Sequence, residues 1–267
     1  MNYLDPELRE LLSESAMFEQ LADMDGEVFR EVASRRTFRF RYGERDYFAK
    51  VHYGVGWREI IKNLLQMRLP VLGAANEWIA IRRLDDLGVD TMVPVAYSCS
   101  GANPATQRSC IVTRALVDTI SLEDLAADGP IPFTLKRRLI ARVAAISARM
   151  HEGGVNHRDL YICHFHLDLA TRNLESPRLY VIDLHRAQVR RKTPQRWIVK
   201  DVAGLLFSAF DAGLTRTDLV RFMTAYSGKS LRATIREDQH FWRQVVQRAR
   251  RLYQREFGRP HVDPWHW

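Results

Sequence analysis

Two short runs of the chain place a carboxylate at the end of a strand-like segment. Residues 155–164 read VNHRDLYICH and residues 180–185 read YVIDLH, so the two acids are Asp159 and Asp183. Acidic groups in such positions suit convergence on one site. The pattern predicts that the carboxylates of Asp159 and Asp183 lie together in that site.

The segments around these runs predict how the two acids are positioned. Residues 134–150 have apolar side chains at helical spacing, with Thr134 as the predicted N-cap, and two glycines end the helix before the first acid. Residues 162–167 and 178–184 are predicted to pair as a β-hairpin around a polar segment. A long buried helix therefore leads into the first acid, and the hairpin ends at the second.

The tripeptide His-Arg-Asp is also the core of the catalytic loop of eukaryotic-like kinases, whose Asp accepts the proton of the hydroxyl that is phosphorylated. The longer runs GVNHRD, YICHF and VIDLHRA closely resemble the lipopolysaccharide core heptose kinase family (WaaP/RfaP). The resemblance covers about residues 28–253. It implies one kinase-like α+β domain that is bilobal, with an antiparallel-sheet N-lobe and helical lead-in at 1–114 and a mainly helical C-lobe at 115–267.

The N-terminal part of the chain has the pattern expected of a kinase N-lobe. Strands are predicted at 28–32, 37–41, 46–52, 93–97 and 109–113, and helices at 57–69 and 74–87. Lys50 matches the strand lysine that touches the nucleotide phosphates, and Glu77 matches the glutamate that orients it. A solvated strand lysine and an exposed helix glutamate are the alternatives. The glycine-rich phosphate loop is missing, because residues 33–36 read ASRR.

The resemblance implies ATP and Mg²⁺ as cofactors. Asp159 would orient and deprotonate a sugar hydroxyl, while Asp183 would bind the Mg²⁺ that bridges the β- and γ-phosphates. Lys50, held by Glu77, would bind the nucleotide. Phosphoryl transfer depends on positioning and charge neutralisation more than on covalent chemistry, so a lysine, two acids and a metal ion are sufficient.

One position departs from the kinase pattern. The residue that would bind a second metal ion is Asn in kinases and His164 here, and imidazole is a poor Mg²⁺ ligand. Either one metal ion is used, or His164 contacts phosphate. His157 and Arg158 are expected to support the catalytic loop. Asp201 is the one acid of an apolar helix predicted at 197–210, and it is expected to hold the backbone of that loop.

Composition and charge restrict the partners. The formal charge of +8 and a pI near 9.6 indicate an anionic partner, which could be nucleic acid, a phosphorylated glycolipid or an acidic membrane face. A basic stretch at 186–200 is either a substrate-facing surface or a solvated one. No apolar run approaches the ~20 residues of a spanning helix, and three cysteines without paired spacing fit a reducing compartment.

The resemblance implies that ATP phosphorylates a heptose, heptose I, of the lipopolysaccharide inner core. The enzyme would be cytoplasmic and peripheral on the inner face of a Gram-negative inner membrane, with the glycolipid and an anionic membrane surface as partners and no nucleic acid. Alternatives are a kinase for another inner-core sugar such as Kdo or for protein, and an inactive kinase-like scaffold. A basic zinc-binding nucleic-acid module is a distant alternative, prompted by His157, Cys163, His164, His166 and His185, whose spacings fit no zinc pattern.

The helix predicted at 57–69 has two candidate roles. Trp57, Ile60, Ile61, Leu64, Leu65 and Leu69 lie on one helical face, while Arg58, Lys62, Asn63 and Gln66 lie on the other. This segment is inserted where a kinase N-lobe has only a short connection. It is therefore predicted either to dock on the membrane surface or to pack on the protein's own core.

Overall fold

The computed structural model describes residues 2–65 and 73–261. Within these ranges the chain forms two compact units. The first unit is drawn from Met1–Arg82, Met92–Val117 and Leu184–Arg186, and the second from Arg83–Thr91, Asp118–Asp183 and Ala187–Trp267. The predicted lobe division after residue 114 remains a prediction. No helix in these ranges is both long enough and apolar enough to span a bilayer.

The first unit is built on an antiparallel sheet in the order β1-β5-β6-β4-β3-β2. Among the described residues its six strands are β1 (Asn2–Leu4), β2 (Glu27–Val32), β3 (Arg35–Tyr42), β4 (Arg45–His52), β5 (Pro94–Ser100) and β6 (Arg108–Arg114). The five strands predicted from the sequence are present. Alternation places Phe38, Phe40, Tyr47, Ala49 and Val51 in the core of this unit, so β4 is fixed between two neighbours.

The N-terminal lead-in differs from the helical prediction. Asn2–Leu4 forms a strand that pairs with β5, Pro6–Leu8 is a 3₁₀ turn capped by Asp5, and helix α1 is limited to Met17–Asp23. The apolar residues at Leu8, Leu12 and Leu21 are buried in the core of the first unit. Their spacing indicated burial correctly. It could not show that the open edge of β5 takes the first residues as a strand.

Two further helices accompany the sheet of the first unit. Helix α2 is Gly56–Leu65, and the remainder of the predicted 57–69 helix lies outside the described residues. Helix α3 is Ala75–Asp86, close to its predicted bounds. On α3, the Trp78 ring stacks on Tyr97 of β5 at 4.8 Å and contacts Tyr3 at 5.1 Å. These ring contacts fix α3 against the sheet.

The second unit is mainly helical. Its described helices are α4 (Leu122–Ala127), α5 (Phe133–Glu152), α6 (Gln195–Ser208), α7 (Arg216–Ser227), α8 (Leu231–Glu237) and α9 (Gln239–Phe257). The long helix before the catalytic motif is confirmed as α5, but Thr134 lies inside it and Pro132 precedes its first turn without a side-chain cap. Helix α7 begins with a reciprocal capping box between Thr215 and Asp218.

Short strands in the second unit position the two acidic motifs. The described strands are β7 (Thr119–Ser121), β8 (Val155–Asn156), β9 (Phe165–Asp168), β10 (Leu179–Val181) and β11 (Gln188–Val189). The predicted hairpin is formed by β9 and β10, with β7 added to its other edge. The segment Arg83–Thr91 reaches the free edge of β10, where the Thr91 hydroxyl donates to the Val181 carbonyl at 2.6 Å. Strand β8 pairs with β11.

Candidate active site

Strand β4 and helix α3 bring the predicted nucleotide lysine and its glutamate together in the first unit. Lys50 Nζ lies 2.7 Å from Glu77 Oε1. The Glu77 side chain is 1% exposed and that of Lys50 17%, so the contact is an ion pair at the edge of the buried interior. Burying a carboxylate without a cationic partner costs several kcal/mol. The position of Glu77 therefore depends on Lys50, and Lys50 is held in one direction.

The turn between β2 and β3, which comes before β4 in the chain, differs from a glycine-rich phosphate loop. Strands β2 and β3 are joined by Ala33 and Ser34 alone. Both residues carry a Cβ, which restricts how closely their backbone amides can approach a phosphate. Gly54 and Gly56 have φ angles of +96° and +71° and lead from β4 into α2, so they act as a turn. The β2–β3 turn therefore lacks the glycines of a phosphate-binding loop.

In the second unit, one buried carboxylate holds the loop that carries Asp159. Asp201 on α6 is fully buried and accepts hydrogen bonds from the backbone amides of His157 at 2.6 Å and Arg158 at 2.8 Å. Gly204, one turn later, allows α6 to approach the loop, because a Cβ there would lie 3.0 Å from the Leu160 carbonyl. The structural role predicted for Asp201 rests on these contacts.

The backbone at both acidic motifs adopts a conformation that is unfavourable for residues other than glycine. Arg158 has φ +76° and Asp183 has φ +59°. Such left-handed positions cost about 1–3 kcal/mol and persist when the surrounding structure imposes them. At Arg158 the imposing group is Asp201, which accepts hydrogen bonds from the backbone amides of His157 and of Arg158 itself. This backbone conformation of Arg158 fixes the orientation of the next residue, the half-buried Asp159.

Two stacked histidines connect the motifs. The rings of His157 and His164 are 5.4 Å apart and 14° from parallel. His157 Nε2 lies 2.9 Å from the Ile182 carbonyl, and since a carbonyl only accepts, this nitrogen carries the proton. Burial lowers the pKa of His157, so its ring is neutral. The ring therefore links the catalytic loop to the residue before Asp183 without adding a charge.

His164 contacts both acidic motifs directly. Its Nδ1 donates to the backbone carbonyl of Asp159 at 2.8 Å, and its Nε2 lies 3.7 Å from Asp183 Oδ2. A neutral ring presents the lone pair of Nε2 toward Asp183, while a protonated ring presents an N–H. Within residues 2–65 and 73–261, no group of three His, Cys, Asp or Glu side chains is placed to hold a metal ion.

The sequence of this chain matches one family of enzymes over most of its length. The lipopolysaccharide kinase (Kdo/WaaP) family profile matches residues 19–226. The chain belongs to that family. It is 48% identical over 242 residues to lipopolysaccharide core heptose(I) kinase WaaP of Escherichia coli strain K12, covering 89% of this chain and 91% of that protein. The same named enzyme of Pseudomonas aeruginosa is 48% identical over 244 residues, covering 90% and 91% respectively.

A solved structure supports the same assignment. The structure described as WaaP in complex with acyl carrier protein is 41% identical in sequence, with a TM-score of 0.82 over 95% of this chain and 99% of that chain. The resemblance deduced from the runs around Asp159 and Asp183 is thus confirmed, as is the kinase-like α+β fold. The chain is a phosphotransferase of the Kdo/WaaP kinase family, with an activity in lipopolysaccharide biosynthesis.

Several supporting residues of this Kdo/WaaP kinase site were missed in the sequence. His151 Nε2 lies 3.5 Å from Asp201 Oδ2, and its Nδ1 is 2.7 Å from the Tyr226 hydroxyl. Helix α5 therefore contacts Asp201 directly, and α7 contacts it through His151. Arg190 donates to the side-chain oxygen of Asn156. The position of His151 at the end of the helix that enters the motif was the available signal. Nothing in the sequence near Tyr226 pointed to the site.

Proposed function

We propose that this kinase transfers the γ-phosphoryl group of ATP to a hydroxyl of heptose I in the lipopolysaccharide inner core. The observation that carries the proposal is the braced catalytic loop, in which Asp201 holds the backbone on which Asp159 is presented. This loop occurs in a chain 48% identical to two enzymes named for heptose(I) phosphorylation. In this role Asp159 accepts the proton of the sugar hydroxyl as its oxygen attacks the γ-phosphorus.

The residues around Asp183 fit a magnesium site. Mg²⁺ in kinases is held by one or two carboxylates, and substrate phosphates and water supply its other ligands. Asp183 supplies such a carboxylate, with a side chain that is 36% exposed and a backbone that fixes its direction. When bound, Mg²⁺ neutralises charge on the transferring phosphate. His164, at 3.7 Å from Asp183, is better suited to contact a phosphate than to replace an amide as a magnesium ligand.

Lys50 and Glu77 are assigned to the nucleotide. A lysine ammonium at the edge of a buried ion pair can bind the α- and β-phosphates while Glu77 prevents it from turning away. Since the β2–β3 turn has no glycine, this contact carries more of the phosphate binding than in protein kinases.

Asp183→Asn should raise the magnesium concentration needed for half-maximal activity, and an unchanged magnesium dependence would contradict the metal assignment.

The test of the activity is incubation with labelled ATP and dephosphorylated lipopolysaccharide core. Mass analysis of the product should place one phosphate on heptose I, and Asp159→Asn is the matched control with the fold retained. Phosphate on Kdo or on another sugar would replace the heptose assignment. Labelled protein in place of labelled core would favour the protein-kinase alternative.

A second proposal concerns a protein partner. A cavity of about 600 Å³ lies wholly within the second unit, between α5, α6, α7 and α9. Its lining is mainly aliphatic and aromatic, including Val143, Leu205, Phe222 and Trp242. Its volume is in the range of a small-ligand site. Since the solved relative is described in complex with acyl carrier protein, we assign this cavity to the acyl chain of such a carrier.

Thermal unfolding with acylated and unacylated carrier protein tests this assignment. Only the acylated form should raise the Tm of the kinase, because only its chain can bury apolar surface in the cavity. Ala212→Trp, which fills part of the lining, should abolish the shift, while Ala170→Trp, at an exposed site outside the cavity, should leave it unchanged. Equal shifts with both carrier forms would remove the cavity from the interaction.

Helix α2 supports a peripheral location on the inner face of the inner membrane. Ile60 is 5% exposed, whereas Trp57, Ile61 and Leu65, which are spaced four residues apart, are 55%, 52% and 81% exposed. The helix therefore packs through Ile60 and presents a second apolar stripe to the surroundings. Trp at an interface beside basic residues is typical of helices that lie on anionic lipid. A lipid-anchored acceptor gives such docking a purpose.

Co-sedimentation with vesicles containing phosphatidylglycerol tests the docking. Replacing Trp57, Ile61 and Leu65 by Ser should abolish vesicle binding but leave activity on soluble, deacylated core unchanged. Reversing Arg58 and Lys62 to Glu should weaken binding at low salt by at least roughly 2 kcal/mol, at about 1 kcal/mol per basic residue. Ile79→Ser, at another half-exposed apolar site of the first unit, is the control. Equal sedimentation of all variants would contradict the role of α2.

A further inference from the structure

The chain between the metal-ligand motif and the middle of α6 is strongly basic. Residues 186–200 contain six Lys and Arg side chains and no acid: Arg186, Arg190, Arg191, Lys192, Arg196 and Lys200. Two of these cations and one from the catalytic loop lie around a single indole ring. The distances from the Trp197 ring centroid are 5.9 Å to Arg158 Cζ, 5.3 Å to Arg196 Cζ and 5.8 Å to Lys200 Nζ.

Four of the six cations at 186–200 are not paired with a carboxylate among the described residues. Within the described ranges, Arg190, Arg191, Lys192 and Arg196 form no ion pair, and Arg190 instead binds the neutral side-chain oxygens of Asn156 and Gln188. Burial, and then the charge of Arg196, lower the pKa of Arg190. Cations held together in this way favour an anionic ligand.

Trp197 and the three cations around it, Arg158, Arg196 and Lys200, are called the Trp197 group. This group is connected to the catalytic loop through the chain itself and through hydrogen bonds. Arg158 directly precedes Asp159, and Lys200 directly precedes Asp201, whose carboxylate binds the Arg158 amide at 2.8 Å. Arg196 and Trp197 lie in the first turn of α6, which Pro194 begins without a side-chain cap. The positive end of this 14-residue helix adds to the local charge. An anion bound beside Trp197 would thus be fixed relative to the general base.

We propose that Arg158, Arg196 and Lys200, arranged around Trp197, form an acceptor subsite that binds an anionic oxygen group of the glycolipid. The ligand chemistry is a carboxylate of an acidic sugar or a phosphate of the lipid, either of which suits guanidinium and ammonium donors. This inference rests on the proposed function, since the inner core carries acidic sugars and phosphates near its heptoses. The subsite selects and orients the acceptor, while Asp159 performs the proton transfer.

Steady-state kinetics of Arg196→Ala, Lys200→Ala and the double variant test the subsite. The KM for core acceptor should rise roughly tenfold in each single variant and roughly a hundredfold in the double variant, as expected for losing hydrogen bonds to a charged group. The KM for ATP and kcat should change little. Arg191→Ala, an exposed neighbour outside the Trp197 group, should behave like the parent. Arg196→Lys should restore part of the loss, and melting temperatures verify folding.

Three acceptors identify the bound group. They are core glycolipid with its carboxylates and lipid phosphates, the same core with its carboxylates reduced to alcohols, and the same core with its lipid phosphates removed. The parent enzyme should lose affinity for one of the altered acceptors, and the double variant should not distinguish that acceptor from the first. The parent losing affinity for the reduced core identifies a carboxylate, and losing it for the phosphate-free core identifies a phosphate.

Four results would overturn the proposal, and the last two distinguish its failure from that of the proposed activity. An unchanged acceptor KM in the double variant removes these cations from acceptor binding. An equal rise in KM for all three acceptors makes their effect structural. A parent enzyme that uses all three acceptors equally well retains the proposed function without the subsite, whereas one that phosphorylates none of them refutes the function and, with it, the subsite.

Discussion

Glu77 in the first unit and Asp201 in the second are both buried carboxylates close to predicted catalytic groups, yet they have different kinds of partner. Glu77 Oε1 binds the ammonium of Lys50 at 2.7 Å, at the end of a long side chain. Asp201 binds two backbone amides and stands 3.5 Å from His151. The first arrangement fixes one side chain and can be released by a competing phosphate. The second fixes the backbone of the catalytic loop before any substrate binds.

Replacing Asp159, the proposed general base, should give the largest loss of activity. This change leaves Glu77 and Asp201 in place. Asp159→Asn should lower kcat by roughly 10²–10⁴, because general-base catalysis is lost, with little change in Tm or in ATP affinity. Single-turnover kinetics with heptose acceptor measures the effect, and thermal unfolding is its control. A variant with near-normal kcat would exclude Asp159 from the chemistry.

Replacing Asp201, which binds the backbone of the Asp159 loop, should reduce stability and activity together. Asp201→Asn retains the shape but loses the charge that two amides donate to, so unfolding should become easier by about 3 kcal/mol, or roughly 5–10 °C in Tm. The kcat should also fall, because Arg158 at φ +76° would no longer be held in its strained conformation. A stable but inactive variant would indicate that Asp201 takes part in the reaction and does not only support the loop.

Breaking the pair in the first unit should have a smaller effect and a characteristic non-additivity. In a double-mutant cycle, Lys50→Ala and Glu77→Ala should each lower kcat/KM, and the double variant should lose about 1–2 kcal/mol less than the sum. Once one partner is absent, the other can no longer orient the nucleotide. Fully additive losses would show that the ion pair plays no part in the reaction. The Tm of Glu77→Ala should change less than that of the Asp201 variant, because the remaining Lys50 is partly exposed, and this contrasts the two carboxylates directly.

The effect that is smallest at neutral pH concerns the acid sensitivity of the first unit. His52 is buried two residues after Lys50, and burial first, then the charges of Arg35, Lys50 and His185, lower its pKa to about 3. The unfolded chain therefore takes up a proton near pH 6.5 that the folded chain refuses. Stability from this group is complete above pH 6.5 and is lost as pH falls toward 3, by at most about 1.4 kcal/mol per pH unit.

Chemical denaturation between pH 4 and 8 measures this dependence. His52→Asn should make the free energy of unfolding fall less steeply below pH 6.5 than it does in the parent. Curves that remain parallel across the whole range would show that His52 is protonated in the folded state as readily as in the unfolded one.

The residues proposed to perform chemistry were easier to single out in the sequence than those that hold them. Asp159 and Asp183 stand in runs whose letters are specific, and Lys50 and Glu77 follow once the strand and helix are placed. The supporting groups depend on contacts distant in sequence: Tyr226 reaches His151 across 75 positions, and Asp201 reaches His157 across 44. The short elements β1, β7, α4 and α8 were also missed, because segments of three to seven residues carry too little periodicity.

The segment Arg83–Thr91 has a consequence for how the protein is synthesised. It belongs to the second unit, although the chain on both sides of it belongs to the first, and its Thr91 hydroxyl binds the Val181 carbonyl 90 residues later. At roughly 5–20 residues per second, translation leaves this segment without its partner strand for roughly 5–20 s. An expressed fragment that starts at residue 118 would never contain it and would expose the edge of β10. A fragment intended to present the catalytic loop therefore has to begin before Arg83.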